Sequence, residues 1–348
     1  MRLLENAWPL VEKELASRVA VPWRIRPRMW RRGFLGESWV LYDLKHNDWR
    51  VYLPDSARFA RTRLINGSYA VLLDDKAVFH RFLGDRPNLL PVVHGIIRKG
   101  AVEAPDRTVP HCQTGQWLAA LTREHRKLIV KPCTGGGGKG VKVLRGCGAG
   151  LTLNGRPVHE DELRQAVAES DGSMVSECVA QHPQLASLYP RTTNTLRVLT
   201  MQDDECAPFV AAAVLRVGSR SSEPTDNWTQ GGLSAGVCLS TGRVGRAASY
   251  PAGREAVDWR DRHPDSGAQV AGTTVPHWPL IAEGLLALMR TLPMLRYVGW
   301  DVVVTEDGFR ILEGNNFSDV NLLQIHGPLL QDERVAAFYR RHGVLPRR

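Results

Sequence analysis

Leu128–Val143 reads LIVKPCTGGGGKGVKV. An apolar run ends in Lys131-Pro132, and Gly135, Gly136, Gly137 and Gly138 follow. After Lys139-Gly140 a β-branched run starts at once, leaving no room for a helix. Consecutive glycines are entropically costly unless something uses them. Here the use is a phosphate chain: no side chain blocks the approach of backbone N–H groups, and positive φ is free. The plain alternative is a flexible turn in an ordinary hairpin. Either way the stretch predicts strand, loop, strand, with Lys131 at the first strand end.

Three familiar glycine loops fit poorly. A Walker loop needs Gly-x-x-x-x-Gly-Lys-Ser/Thr before a helix, whereas Gly138-Lys139 is followed by Gly140, and the residue five before Gly138 is Cys133. Gly135, Gly137 and Gly140 match G-x-G-x-x-G, but a dinucleotide fold requires a helix after the turn. A protein kinase would need H-R-D and D-F-G downstream, and Asp307-Gly308-Phe309 has the wrong order. A glycine cover over ATP, carried between two strands, survives.

A second stretch, YVGWDVVVTEDGFRILEGNN, is the clearest hairpin. With a three-residue loop, Glu306, Asp307 and left-handed Gly308, Thr305 faces Phe309, Val303 faces Ile311 and Asp301 faces Glu313. The two carboxylates are then cross-strand neighbours with Asn315 next on the same face, an arrangement that is destabilising without a cation between them. Hard oxygen ligands from Asp301, Glu313 and Asn315 suit Mg²⁺, with ATP phosphates and water completing the octahedron. A two-residue Asp307-Gly308 loop would put the carboxylates on opposite faces. Salt bridges to Arg296 or Arg310 are the non-metal explanation.

Elsewhere the pattern predicts an amphipathic helix over residues 1–20 (Leu3, Leu4, Trp8, Val11, Leu15, Val19) and a strand, turn and strand over WVLYDLKHNDWRVYLPD. An Asn66-Gly67 turn precedes another apolar run. A helix capped by Asp74 or Asp75 runs through KAVFHRFLGD to Gly84. Strand-like PNLLPVVHGIIRKGAVEAP, helix TGQWLAALTREHRK, helix EDELRQAVAE and strand MVSECVAQHP surround the glycine loop. Further strands are expected at TNTLRVLTMQ, PFVAAAVLRVG and GGLSAGVCLSTGRVGRAASYP, and a helix at PLIAEGLLALMRTLP. Between Arg24 and Arg32, five arginines are interleaved with Trp23 and Trp30, either a basic binding surface or a turn whose tryptophans anchor it to the core.

With 348 residues, 43 % of them hydrophobic and 23 % charged, the chain can bury a sizeable core and form two or three domains. The formal charge of +9 favours anionic partners without choosing among nucleotides, nucleic acid and lipid. Six scattered cysteines lack metal-finger spacing and imply reduced thiols. Glu5, Glu12 and Glu14 exclude a secretory core, and no apolar run approaches the ~20 residues of a membrane helix. A cytoplasmic location with no membrane span is expected.

Lys131 with its glycine loop, the strand Met174–Val179 and the Asp301/Glu313/Asn315 hairpin, in that order, resemble the ATP-grasp superfamily. YLPD at 52–55, LLDDKAVFHRF, NTLRV, GGLSAGVCLSTG and GWDVVV…ILEGNN are similar to its sugar-transfer-associated group, related to glutamate ligases. The resemblance implies an α+β ATP-grasp fold, two α+β lobes holding ATP between them. Its expected spans are an N-terminal mixed region (1–73), a lobe with the glycine loop (74–182) and a lobe with the metal hairpin (183–348).

It also implies that Lys76, Lys131, Gly135–Gly138, Lys139 and Gly140 contact ATP phosphates, and that Glu177, Cys178 and Val179 meet adenine. Arg197 approaches the transferred phosphoryl group, making Arg197 and Lys131 the catalytic candidates. Two Mg²⁺ ions are implied, with Mn²⁺ as a substitute. A ribose-binding acid is missing where Gln181, His182 and Gln184 stand.

The implied reaction joins a small carboxylic acid to an amine through an acyl phosphate, releasing ADP and phosphate. Asn227, Gly231, Gly232, Ser234, Asp319 and His326 are substrate-side candidates, each with a turn, capping or structural alternative. Two other classes remain open. One is a kinase acting on a sugar or polyol hydroxyl. The other is a nucleic-acid or anionic-surface module with a vestigial ATP site, disfavoured by the intact lysine and carboxylate set.

Overall fold

The computed structural model describes residues 10–148, 150–203, 205 and 207–346. The chain divides into two compact units. One comprises the chain up to Ala70, His182–Val304 and the chain from Asn315 onward; the other comprises Val71–Gln181 and Thr305–Gly314. The N-terminal residues therefore group with the later segments and do not stand apart as a third region.

The smaller unit holds an eight-stranded sheet. Its strands are β1 (Val93–Arg98), β2 (Ala101–Glu103), β3 (Thr108–Val109), β4 (Lys127–Pro132), β5 (Lys142–Cys147), β6 (Gly150–Leu153), β7 (Arg156–Val158) and β8 (Ser173–Glu177). The order is β3-β2-β1-β8-β4-β5-β6-β7, every pair antiparallel. Leu128 and Val130 of β4, Val175 of β8 and Ile97 of β1 share a core with Leu118, Leu163 and Val167 from the helices Thr114–His125 and Glu160–Ala168. Strand alternation then sends Lys131 to the other face, where its register partner is Met174.

The helix Lys76–Phe82 starts at Asp75, whose carboxylate accepts from the N–H groups of Ala77 and Val78, as its sequence predicted. Lys76 N–H donates to Cys133 O at 2.8 Å, and Asp75 forms a bridge with Thr134. This helix start is thereby tied to the entrance of the glycine loop.

The larger unit is built on β9 (Thr195–Gln202), β10 (Pro208–Val217), β11 (Leu233–Val237), β12 (Val244–Ser249), β13 (Asp258–Arg260) and β14 (Tyr297–Thr305), in the order β13-β12-β11-β10-β9-β14. These pairs too are antiparallel. Every residue of β9 and β14 is buried, so both faces of these strands are covered. The helix Trp278–Arg290 buries Ile281, Leu285, Leu288 and Met289, while Leu199, Met201 and Tyr297 pack with Met29, Phe34, Leu53 and Tyr339. After Glu306 and Asp307 the chain continues as β15 (Gly308–Asn315).

Three expectations from the N-terminal region are corrected. WVLYDLKHNDWRVYLPD forms no hairpin: Gly36–Leu41 is helical, and Trp49–Val51 is a 3₁₀ turn capped by Asp48. Packing of Leu41, Tyr42, Leu44 and Leu53 into the core overrides the β-propensity of the run. The described part of the first helix covers only 10–16, with Val11 and Leu15 exposed and Glu14 buried, the reverse of the expected polarity. Leu3, Leu4 and Trp8 lie outside the described residues. Trp23 and Trp30 are exposed, so Met29, and not a tryptophan, anchors the arginine segment. The run after Asn66-Gly67 is a 3₁₀ turn and a short helix, Val71–Asp74.

Candidate active site

In the smaller unit the glycine loop has the backbone expected of it, with φ at +89° for Gly135, +72° for Gly137, +73° for Gly138 and +74° for Gly140. A side chain at Gly135 or Gly136 would meet nothing within 4 Å, so packing does not demand glycine there. At Gly140 a Cβ would lie 3.0 Å from Pro132 Cγ. Lys139 is exposed.

Lys76 draws this unit's polar groups together. Its ammonium donates to Gly135 O at 2.9 Å and pairs with Glu313 Oε2 at 3.1 Å, with only 12 % of its side chain exposed. Lys131 Nζ donates to Leu312 O at 3.3 Å. Leu312 O and the Glu313 carboxylate are thus held by two lysines 55 positions apart, one of them also gripping the glycine loop.

His80 lies near Lys131; burial first, then that ammonium, bring its pKa down to about 4. A pocket of about 800 Å³ lined by His80, Val93, Ile96 and Met174 opens on the Lys131 side of the sheet. At the expected adenine segment, Glu177 N–H donates to Val92 O at 2.9 Å and Cys178 N–H to Lys127 O at 3.2 Å, so those two donors are committed to neighbouring strands. The Glu177 carboxylate accepts from Val92 N–H at 3.0 Å, a structural contact.

In the larger unit Asp301 stands opposite Arg197 in the β14–β9 register. Arg197 Nε donates to Asp301 Oδ1 and Nη2 to Oδ2 at 3.1 Å; Arg216 Nη1 donates to the same Oδ2 at 3.0 Å. Arg216 reaches on to Asp226, whose Oδ2 accepts from Thr195 N–H at 3.0 Å. Two carboxylates and two guanidiniums form one buried network of balanced charge. Burial raises the Asp226 pKa, and Arg216 opposes that. The cations that compensate Asp301 therefore come from β9 and β10. Arg296 and Arg310 engage Asp203 O and Asp307 instead.

The hairpin turn is Glu306-Asp307, with Gly308 at φ +146° opening the return strand, where a three-residue loop ending in Gly308 was expected. Asn315 Nδ2 donates to Gly299 O at 3.0 Å, which assigns the amide and leaves Oδ1 as an acceptor. Among the described residues no three His, Cys, Asp or Glu side chains form a group able to hold a metal. Glu313 offers hard oxygens that suit magnesium, whereas both Asp301 oxygens already accept guanidinium protons.

The substrate-side candidates divide. Asn227 caps a 3₁₀ turn, accepting from Thr229 N–H at 2.9 Å. Gly231 has φ +111°, and a Cβ at Gly232 would meet Asp226 O at 2.7 Å, so both serve the turn. Ser234 and His326 come together: Ser234 Oγ lies 3.0 Å from Leu322 O and 2.9 Å from His326 Nε2. The carbonyl can only accept, so the serine proton goes to Leu322 and Nε2–H donates to the serine. Burial brings the His326 pKa to about 4, so the ring is neutral near neutrality. Asp319 Oδ1 pairs with Arg58 Nη2 at 3.2 Å.

Sequence reading missed Arg216, Asp226, Arg58 and Glu37. Arg216, Arg58 and Glu37 each have a partner far away in the chain, Asp301, Asp319 and Tyr250, and no local motif marks any of the four. None of the five described cysteines forms a disulfide. No helix among the described residues is long and apolar enough to cross a membrane.

The chain is similar to several solved structures. Against biotin carboxylase from Campylobacter jejuni it is 13 % identical with a TM-score of 0.44, over 77 % of this chain and 47 % of that one. Against D-alanyl-alanine synthetase A from Vibrio cholerae the values are 11 %, 0.42, 78 % and 66 %. A complex of the ATP-grasp ligase PsnB with a minimal precursor gives 14 %, 0.38, 78 % and 63 %. The chain thus spans between about half and two thirds of the length of these proteins. A search of curated protein sequences found no match. The sequence profile of the sugar-transfer associated ATP-grasp family matches residues 56–336, and the chain belongs to that family.

Proposed function

We propose that this protein is an ATP-dependent carboxylate–amine ligase. The observation that carries the reading is Lys76, which ties the positive-φ glycine loop to Glu313, 237 positions later in the chain. A cationic side chain, a glycine loop and a carboxylate collected in one place suit a triphosphate and its counter-ion.

In this reading Lys76, Lys131 and the Gly135–Gly140 loop neutralise and hold the phosphates. The Glu177–Val179 segment and the pocket beside His80 and Met174 receive the base. Magnesium held in part by Glu313 would supply charge compensation. Arg197 and Arg216 keep Asp301 oriented, which makes Arg197 a positioning residue. A substrate carboxylate oxygen attacks the γ-phosphorus, ADP departs, and an amine displaces phosphate from the acyl carbon. Positioning and electrostatics suffice, and no nucleophilic side chain is required.

The test is a trap. Purified protein with ATP, magnesium, hydroxylamine and pooled small carboxylic acids should release ADP and form a hydroxamate only when an acid is present. A stable phosphorylated sugar or polyol with no amine requirement would overturn the ligase reading in favour of a kinase.

A further inference from the structure

The arginine-rich segment at residues 23–32 takes no part in the proposed chemistry, and it presents a definite face of the larger unit. Ile25 N–H donates to Pro22 O at 2.9 Å in a turn that leaves Trp23 and Arg24 exposed. The helix Arg26–Arg31 buries only Met29, so Pro27, Arg28, Trp30 and Arg31 all face solvent. Trp23 is 73 % exposed and Trp30 54 %.

Trp30 does not stand alone. With Leu10, Val11, Leu15, Phe34 and Leu35 it lines a surface hollow of about 290 Å³. Leu15 is 82 % exposed and Val11 44 %, so the apolar patch runs on to the adjoining helix, residues 10–16. Among the described residues one acid lines the hollow, Glu14. It is buried and committed, accepting from Arg26 and from Gly36 N–H at 2.8 Å.

The charge around this patch has one sign. Between Trp23 and Gly36 stand five arginines and no Asp or Glu. Arg26 is taken by Glu14, whereas Arg24, Arg28, Arg31 and Arg32 form no salt bridge among the described residues. Arg24 lies over the Trp23 ring at 5.4 Å, Arg28 over Trp39 at 5.8 Å and Arg32 over Trp49 at 5.0 Å. Aromatic faces hold these guanidiniums at the surface without neutralising them. Burial first, and then Arg28, lower the Arg32 pKa; Asp48 opposes them, but it already pairs with Arg50 Nη2 at 2.9 Å. On the adjoining helix Glu12 and Lys13 contribute one exposed charge of each sign.

A cationic rim around exposed indoles and aliphatic side chains fits a lipid surface. Indoles settle at the headgroup level, guanidiniums meet lipid phosphates, and side chains such as Leu15 reach the acyl boundary. Single-stranded nucleic acid would stack on aromatic faces and leave the aliphatic side chains in water. Arg24 already occupies one face of Trp23.

We propose that the face formed by residues 10–16 and 23–32 docks on a membrane surface rich in anionic phospholipid. Trp23, Trp30 and Leu15 enter the headgroup region, and Arg24, Arg28 and Arg31 meet the phosphates. This attachment lies on the bilayer without spanning it and is independent of the ligase reading.

The experiment is flotation of the full-length protein with vesicles of phosphatidylcholine and phosphatidylglycerol in equal parts, against vesicles of phosphatidylcholine alone. The protein should float with the mixed vesicles, at least about tenfold more weakly with phosphatidylcholine alone, and less as sodium chloride is raised. An arginine near an anionic surface strengthens binding about fivefold, so Arg24→Gln/Arg28→Gln/Arg31→Gln should weaken it about a hundredfold. Leu15→Ser removes only an exposed side chain and should weaken binding about fivefold with an unchanged melting temperature. Lipid brominated along its upper acyl chain should quench the fluorescence of the wild type more than that of Trp23→Phe/Trp30→Phe, which locates the two indoles independently of the charge variant. No flotation, equal flotation with both vesicles, full binding by the arginine variant, or quenching unaffected by loss of the two tryptophans overturns the proposal. Salt-sensitive binding of oligouridine without flotation would assign the face to nucleic acid and overturns it equally.

Discussion

Replacing His326 with glutamine separates a structural histidine from a catalytic one. The imidazole sits against Trp259, with ring centroids 5.4 Å apart, and donates to Ser234, and a glutamine amide can keep that donation. Burial holds the native group neutral down to about pH 4, whereas in the unfolded chain it titrates near 6.5. Between those values the unfolded state binds a proton that the native state refuses. The stability from this group is therefore fully present above pH 6.5 and is lost as pH falls toward 4.

Carried through the whole window the effect is roughly 3 kcal/mol, at about 1.4 kcal/mol per pH unit. By pH 5 it amounts to about 2 kcal/mol. Urea unfolding followed by tryptophan fluorescence at pH 7.5 and pH 5.0 measures it. The difference between wild type and His326→Gln isolates this histidine from His80, which titrates in the same direction. The wild type should lose about 2 kcal/mol more than the variant over that interval, and both should turn over ATP at pH 7.5. Parallel pH curves would refute the buried neutral assignment. A folded variant without turnover would return His326 to the chemistry.

Three further outcomes are expected. Lys131→Ala and Glu313→Ala should each abolish ATP turnover with the circular dichroism unchanged; full activity in either purified variant contradicts the assignment of the phosphate site. Asp301→Asn strips the charge that balances buried Arg197 and Arg216, and should cost about 3 kcal/mol of stability. An unaltered melting temperature would show that the network is dispensable. Gly140→Ala places a side chain at φ +74° and 3.0 Å from Pro132, so it should destabilise by about 1–2 kcal/mol, while Gly136→Ala, which meets open space, should melt with the wild type. Equal melting points for the pair would remove the backbone argument.

Much of the smaller unit was legible because its signals are local. Asp75 announces its helix by capping it, and the glycine run announces a loop whose neighbours must be strands. The fully buried strands β9 and β14 are rich in apolar and β-branched residues. The N-terminal segment was misread because its elements are set by distant packing. Trp39–Leu44 has a strand-like composition, yet helix formation lets Leu41, Tyr42 and Leu44 enter a core shared with Tyr297 and Tyr339. Glu14 looked like the polar face of an amphipathic helix but is buried, accepting from Gly36 N–H at 2.8 Å and pairing with Arg26. At the site, Asp301, Glu313 and Asn315 stood out by spacing along one hairpin. Arg216, Asp226 and Arg58 did not, since an arginine acquires meaning only from a carboxylate that folding brings to it.

The smaller unit is discontinuous, and this bears on how the protein can be made and cut. Its sheet is encoded by Val71–Gln181, but the carboxylate that meets Lys76 arrives in a ten-residue excursion, Thr305–Gly314, more than a hundred residues later. During synthesis the glycine loop and both lysines are made long before Glu313, so the Lys76–Glu313 pair forms only after residue 313 has been added. An excised 71–181 fragment would keep the sheet and lose the partner of its central lysine. The unit's sheet segment therefore cannot be excised as one continuous stretch that keeps the Lys76–Glu313 pair.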